Sequence, residues 1–238
     1  MRRSHHRRSG PDDSGSRLQT SGFTLMEILV AIFLMSMVMT ALFTAFNAIF
    51  GVNEPLEKGA IVHDMAKNCM SLITADVMSV YTTQPPLWKK PDFDEDPDPY
   101  RVKGELVSVE TETFPRLKFS SLNHISFGEL RNQGIAEIVY YVTASQDRGF
   151  VLKRFDSLYP HEAFEERDLD PVICTHIRSL EIRYYDEGGE EYDHWDSETD
   201  EFGYATPTSL LIKMALGDPK NIYIFETRVA VPLCRKKS

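Results

Sequence analysis

Gly22-Phe23-Thr24-Leu25-Met26-Glu27-Ile28-Leu29-Val30-Ala31 leads into a stretch, Ile28 to Asn53, that holds no charged residue. A helix of roughly 20 apolar residues spans the hydrocarbon core of a bilayer, so the stretch predicts a membrane-crossing helix. Upstream lie Arg2, Arg3, Arg7, Arg8 and Arg17 against Asp12 and Asp13, a net charge of +3 over residues 1–22. Without those residues the chain's formal charge falls from −10 to −13. The positive-inside rule then predicts a single-pass inner-membrane protein with a cytoplasmic N-terminus and a periplasmic C-terminal domain. A secretory signal peptide would have an apolar core of about 7–15 residues ending in an A-x-A-like site. Here the apolar run is longer, and Phe50-Gly51-Val52-Asn53-Glu54-Pro55 is a poor cleavage sequence.

Glu27 is the residue that a plain anchor leaves unexplained. A carboxylate facing lipid costs about 2.5–3.5 kcal/mol near the helix centre and less toward the interface. Snorkelling to the interface is one answer. The other is a partner: in a bundle of such helices, the α-amino group of a neighbouring N-terminus can pair with the carboxylate. Pairing removes the cost of an isolated charge in a low-dielectric core and fixes the axial register of the subunits.

Residues 22–31 resemble the type IV prepilin processing signal, GFTLxE followed by a hydrophobic helix. The resemblance implies cleavage by a prepilin peptidase between Gly22 and Phe23, N-methylation of Phe23, and use of Glu27 in assembly. The leader departs from the usual pattern in its length and in the gap Leu18-Gln19-Thr20-Ser21 between Arg17 and the cut.

Beyond the apolar helix, Gly51, Asn53 and Pro55 predict a kink or a restart, because proline removes a helical hydrogen bond and crowds the preceding turn. A second helical pattern follows. Val62, Met65, Ala66, Cys69, Leu72, Ile73, Val77 and Val80 recur at three and four residues and trace one face, expected to pack on the globular part. Residues 82–104, with Pro85, Pro86, Pro91, Pro97 and Pro99 among acids, read as a loop. The alternation Asp92, Asp94, Asp96, Asp98 fails the EF-hand pattern, having Pro97 at the sixth position and Lys103 at the twelfth. From there the period becomes two. Ile135–Val142, Gly149–Arg154, Leu180–Tyr184, Leu210–Leu216 and Ile222–Val231 read as strands, and Gly188-Gly189 and Gly217-Asp218-Pro219 as turns between antiparallel neighbours. The fold expected is α+β: a long N-terminal hydrophobic helix packed on a mainly antiparallel β head. The divisions are 1–22 leader, 23–52 membrane and assembly helix, 53–81 helical continuation, 82–104 loop and 105–238 head.

Composition narrows the function. An acidic body offers no cluster of Lys and Arg for a phosphate backbone, which argues against nucleic acid. Cys69, Cys174 and Cys234 form no CxxC pair, so neither a metal nor a redox motif is indicated; in the periplasm one disulfide among them is possible, and otherwise Cys69 and Cys174 are small buried apolar groups. Asp186 to Glu201 carries nine carboxylates with no Lys or Arg around His194-Trp195. It reads as a solvated insertion, with a cation or a basic partner as the alternative. No G-x-S-x-G, H-E-x-x-H or paired-cysteine motif is present, and His63, His124, His161, His176 and His194 are scattered, so no catalytic residue and no cofactor is assigned.

Residues 172–189, VICTHIRSLEIRYYDEGG, resemble a strand of the J-class minor pseudopilins of type II secretion (GspJ), which precedes a tryptophan-containing acidic turn; here the tryptophan is Trp195. Thr206 to Met214 resembles that family's next strand, and Ile138–Val142 with Gly149–Arg154 its upstream hairpin. The resemblance implies a tip complex with the I and K pseudopilins that primes a filament of major pseudopilin for protein export. A minor type IV pilin shares the N-terminal chemistry. A membrane-anchored periplasmic enzyme or sensor is the rival of another kind.

Overall fold

In a computed structural model of the chain, residues 23–91, 98–124, 134–147, 149–160 and 163–237 are described. The chain divides into two compact units, Met1–Glu54 and Pro55–Ser238. One helix, α1 (Leu25–Met78), contributes to both. Its backbone is helical through Gly51, Asn53 and Pro55, so the restart expected there does not occur. One proline deletes a single donor, and the hydrogen bonds on either side keep the helix going.

The described residues of the second unit form nine strands in one antiparallel sheet: β1 (Lys103–Val109), β2 (Glu112–Ser121), β3 (Ala136–Ser145), β4 (Gly149–Leu158), β5 (Val172–Tyr185), β6 (Glu191–Tyr192), β7 (Trp195–Asp196), β8 (Ser209–Asp218) and β9 (Asn221–Ala230). The order is β7-β1-β2-β3-β4-β5-β8-β9, with β6 beside β5. Both halves of the expectation, apolar helix and antiparallel β domain, are met, and the fold is α+β. Near the end of β8, Gly217 has φ +125° and a Cβ there would run into the Asn221 carbonyl, so only glycine fits. The sheet curls. Tyr184 on β5 reaches over Gly104 on β1, and a Cβ at position 104 would overlap the Tyr184 hydroxyl.

Residues Gly59–Met78 of α1 lie against this sheet. Ala66, Cys69, Ile73 and Val77 are buried in one cluster with Leu117, Phe119, Ile138, Tyr140, Leu152, Ile177 and Met214. The periodic face read from the sequence is therefore the packed face. The outer side of β3 and β4 is covered too: Phe164 packs edge-on against Tyr141 and Phe155, and Lys153 Nζ donates to the Arg167 carbonyl at 2.8 Å. That second layer is why β3 is buried on both faces.

One charged residue interrupts the helix's apolar face. Asp76, 0% exposed, meets Arg154 of β4, 3% exposed. Arg154 Nε donates to Asp76 Oδ2 at 2.7 Å and Nη2 to Oδ1 at 3.3 Å, while Nη1 reaches Asp156 Oδ2 at 2.6 Å. The Tyr140 hydroxyl and Asn123 Nδ2 also donate to Asp76, and Arg154 Nη2 donates to the Asn123 carbonyl at 2.9 Å. His124 Nδ1 lies 2.6 Å from Asp156 Oδ1. Burial works against the Arg154 charge, but the hydrogen bonds and attraction of Asp76 and Asp156 outweigh it and hold its pKa above the ordinary value. Burial pushes the Tyr140 phenol up, and Asp76 adds to that.

Removing one partner of such a pair strands the other charge. Arg154→Ala should cost about 3–5 kcal/mol of stability by urea denaturation of the full chain. Tyr140→Phe, which removes one donor of several, should cost only about 0.5–1.5 kcal/mol. Equal losses for the two variants would show that the pair is not the anchor.

Candidate functional site

The N-terminal end of α1 is the first candidate. Thr24 precedes the first helical residue, and Glu27 is the third. The Glu27 amide donates to the Thr24 carbonyl at 3.0 Å and to Thr24 Oγ1 at 3.3 Å. Thr24 thus caps the helix, satisfying one of the four amides that no turn can reach. Thr24-Leu25-Met26-Glu27 is the T-x-x-E pattern of a capping box; the signal is legible in the sequence but is hidden beneath the processing motif. Glu27 also places its charge at the positive end of the helix dipole.

Phe23 is 78% exposed, and every side chain from Phe23 to Asn47 is exposed in the single chain. Leu25–Asn47, 23 residues, is long and apolar enough to cross a membrane; at about 1.5 Å per residue it matches a bilayer core of about 30 Å. Its hydroxyls are satisfied internally. Ser36 Oγ donates to the Phe33 carbonyl, Thr40 Oγ1 to that of Ser36 and Thr44 Oγ1 to that of Thr40, each at 2.8 Å. Gly22 lies outside the described residues.

Residues 17–43 match the prokaryotic N-terminal methylation motif. They form a prepilin-like signal. No curated protein matches the chain. The signal supports a type IV pilin-like or pseudopilin protein and implies processing by a prepilin peptidase and assembly with other pilin-like proteins. Glu27 falls within the matched segment, and the capped helix start displays it three residues past the cap.

The acidic segment from Asp186 to Glu201 is the second candidate, and it is folded rather than a freely solvated insertion. Trp195 is buried, stacks on Phe202 at 4.3 Å and donates Nε1 to the Ala205 carbonyl at 3.0 Å. The charge is met by the chain's own C-terminal residues. Arg235, almost fully buried, donates to the Tyr204 carbonyl at 2.6 Å and to Glu198, stacks on Trp88 at 4.2 Å, and has Nη1 3.5 Å from Asp98 Oδ2. Lys236 pairs with Glu187 at 3.1 Å and Lys237 with Asp186 at 3.0 Å. The Lys237 ammonium holds the Asp186 carboxyl below the usual carboxylate range. Asp92, Asp94 and Asp96 of the rejected calcium pattern, and His161, lie outside the described residues. The remaining histidines stand apart: His63 packs on Phe225, His124 meets Asp156, His176 contacts Thr175, and His194 sits in the acidic segment.

Thr24→Ala should weaken the helix start by about 0.5–2 kcal/mol, read as faster amide exchange at Met26 and Glu27; unchanged exchange there would refute the cap. His194 is held above its ordinary 6.5 by Asp193, opposed by burial and helped by Glu201. A raised folded pKa means that this pairing is fully in force below the unfolded value and fades as pH rises through the folded one; at a half-exposed site the contribution is small. Its imidazole resonances should titrate with a midpoint above 6.5, and a midpoint below that value would contradict the pairing.

Proposed function

We propose that this chain is a minor pseudopilin of type II secretion, of the J class. On this reading it is cut by a prepilin peptidase between Gly22 and Phe23, methylated at Phe23, and held in the inner membrane with its β head in the periplasm. It then joins the I and K pseudopilins in a tip complex that primes a filament of major pseudopilin for protein export. Its work is assembly, with no catalytic step.

The observation that carries the reading is the N-terminus: a methylation motif whose one carboxylate, Glu27, precedes an uncharged stretch of helix whose side chains are exposed as far as Asn47. An exposed apolar helix needs lipid or other such helices around it. In a bundle, Glu27 would meet a neighbour's α-amino group, which offsets the cost of the carboxylate in an apolar core. The resemblance of residues 135–215 to the J-class strands supports the secretion assignment over a minor type IV pilin, whose N-terminal chemistry is the same. The Asp76–Arg154 cluster supports a structural body, since its buried polar groups are engaged with one another.

Gly22→Ala should block processing, because the peptidase must accommodate the backbone at the cut; the variant should retain residues 1–22 by intact mass while the wild type begins at methylated Phe23. Glu27→Ala should be cut normally yet lose co-purification with the I and K pseudopilins by tenfold or so, equivalent to about 1.4 kcal/mol. A Glu27→Ala chain that assembles like the wild type would remove the carboxylate from the mechanism. A wild-type chain that keeps its first 22 residues in its native membrane would favour an anchored enzyme or sensor.

A further inference from the structure

Cys69 and Cys174 are widely separated in sequence and meet in the core. Cys69 lies on the packed face of α1 and is 2% exposed; Cys174 lies on β5 and is 1% exposed; both belong to the same apolar cluster. The neighbouring contact fixes the alignment: Thr175 Oγ1, one residue beyond Cys174, donates to Met65 Sδ, one helical turn before Cys69, at 3.4 Å. The two thiols are close enough for each to perturb the other. Cys234 is elsewhere, half-buried, with its thiol donating to the Val231 carbonyl at 2.9 Å.

We propose that Cys69 and Cys174 are a disulfide site, oxidised in the mature protein to a covalent link between α1 and β5. The inference rests on the reading that the head lies in the periplasm, where structural disulfides persist. The oxidant is a protein dithiol oxidoreductase in its disulfide form. A cysteine thiolate of the still-open head attacks that disulfide, releasing one oxidoreductase thiolate and leaving a mixed disulfide; the second cysteine thiolate then displaces the other oxidoreductase sulfur. One S–S bond forms in this chain and one is lost in the oxidoreductase. Two thiol protons and two electrons leave the cysteine pair, and the oxidoreductase ends as a dithiol.

With both thiols free, Cys69 favours the thiolate of Cys174 against the opposing effect of burial, while Cys174 and burial push the Cys69 thiol up. Because the link closes a loop of about 100 residues, it should favour folded over unfolded head by roughly a hundredfold or more.

Full-length protein in its native membranes would be acid-quenched, denatured with N-ethylmaleimide, and digested without reduction. The expected result is a Cys69 peptide joined to a Cys174 peptide, with maleimide on Cys234. Maleimide on both Cys69 and Cys174, or a link from either to Cys234, overturns the proposal. Protease added to spheroplasts separates the two ways of failing. Free thiols in a head that is digested refute the disulfide alone; free thiols in a head that is spared refute the periplasmic placement, and the disulfide with it. In purified full-length protein refolded in detergent with oxidised glutathione, the Cys69–Cys174 link should dominate. Comparable amounts of the Cys234 pairings would show that the fold does not select it.

Discussion

The carboxylate of Asp76 holds helix and sheet in register. Apolar packing alone leaves a helix free to slide along a sheet by small steps, because leucine-like contacts are non-directional. A buried ion pair is not free to slide: Asp76 must meet the Arg154 fork, and Arg154 must in turn meet Asp156 and the Asn123 carbonyl. Replacing such a cluster wholesale with apolar groups can be neutral or better for stability. Its use here is directional, aligning one helical turn with β3 and β4. Ser121 Oγ, donating to the Asp76 carbonyl at 3.0 Å, ties the same turn to β2.

A similar logic governs the far side of the head. The acidic segment would repel itself if left open, and the chain meets it with Arg235, Lys236 and Lys237. Arg235 is the demanding member. Sandwiched on Trp88 and bonded to backbone carbonyls as well as Glu198, it closes the segment as a lid of local structure between β5 and β8. Trp88 shows that part of the proline-rich 82–104 stretch is fixed by the head and is not all open loop.

Much of this was legible in the sequence. The 3.6-residue rhythm of Val62 to Val77 marked the helix face that packs, and the two-residue rhythm of Leu180–Tyr184 and Leu210–Leu216 marked strands that pair, Leu180 with Met214 and Ile182 with Ile212. Strands β1 and β2 were not legible, because Lys103–Val109 is half-exposed and mixes Gly, Glu and Ser, and β2 contains Pro115. Asp76 carried a signal that periodicity discards: an acid at a position where the apolar face should continue. Its meaning depends on Arg154, which the fold alone brings near. The same holds for Cys69 and Cys174, whose spacing says nothing until α1 lies on β5. At the N-terminus the site is local in sequence, so motif and structure agree without tertiary information.

Ser36, Thr40 and Thr44 sit four residues apart on α1, and each hydroxyl already has its carbonyl. A side chain that depends on neither water nor a neighbour for its hydrogen bond is indifferent to what surrounds it. A helix so equipped can exchange lipid contacts for protein contacts without breaking a polar interaction on that face. Transfer from a fluid bilayer into a packed bundle then costs no hydrogen bond along this face, and can run in either direction.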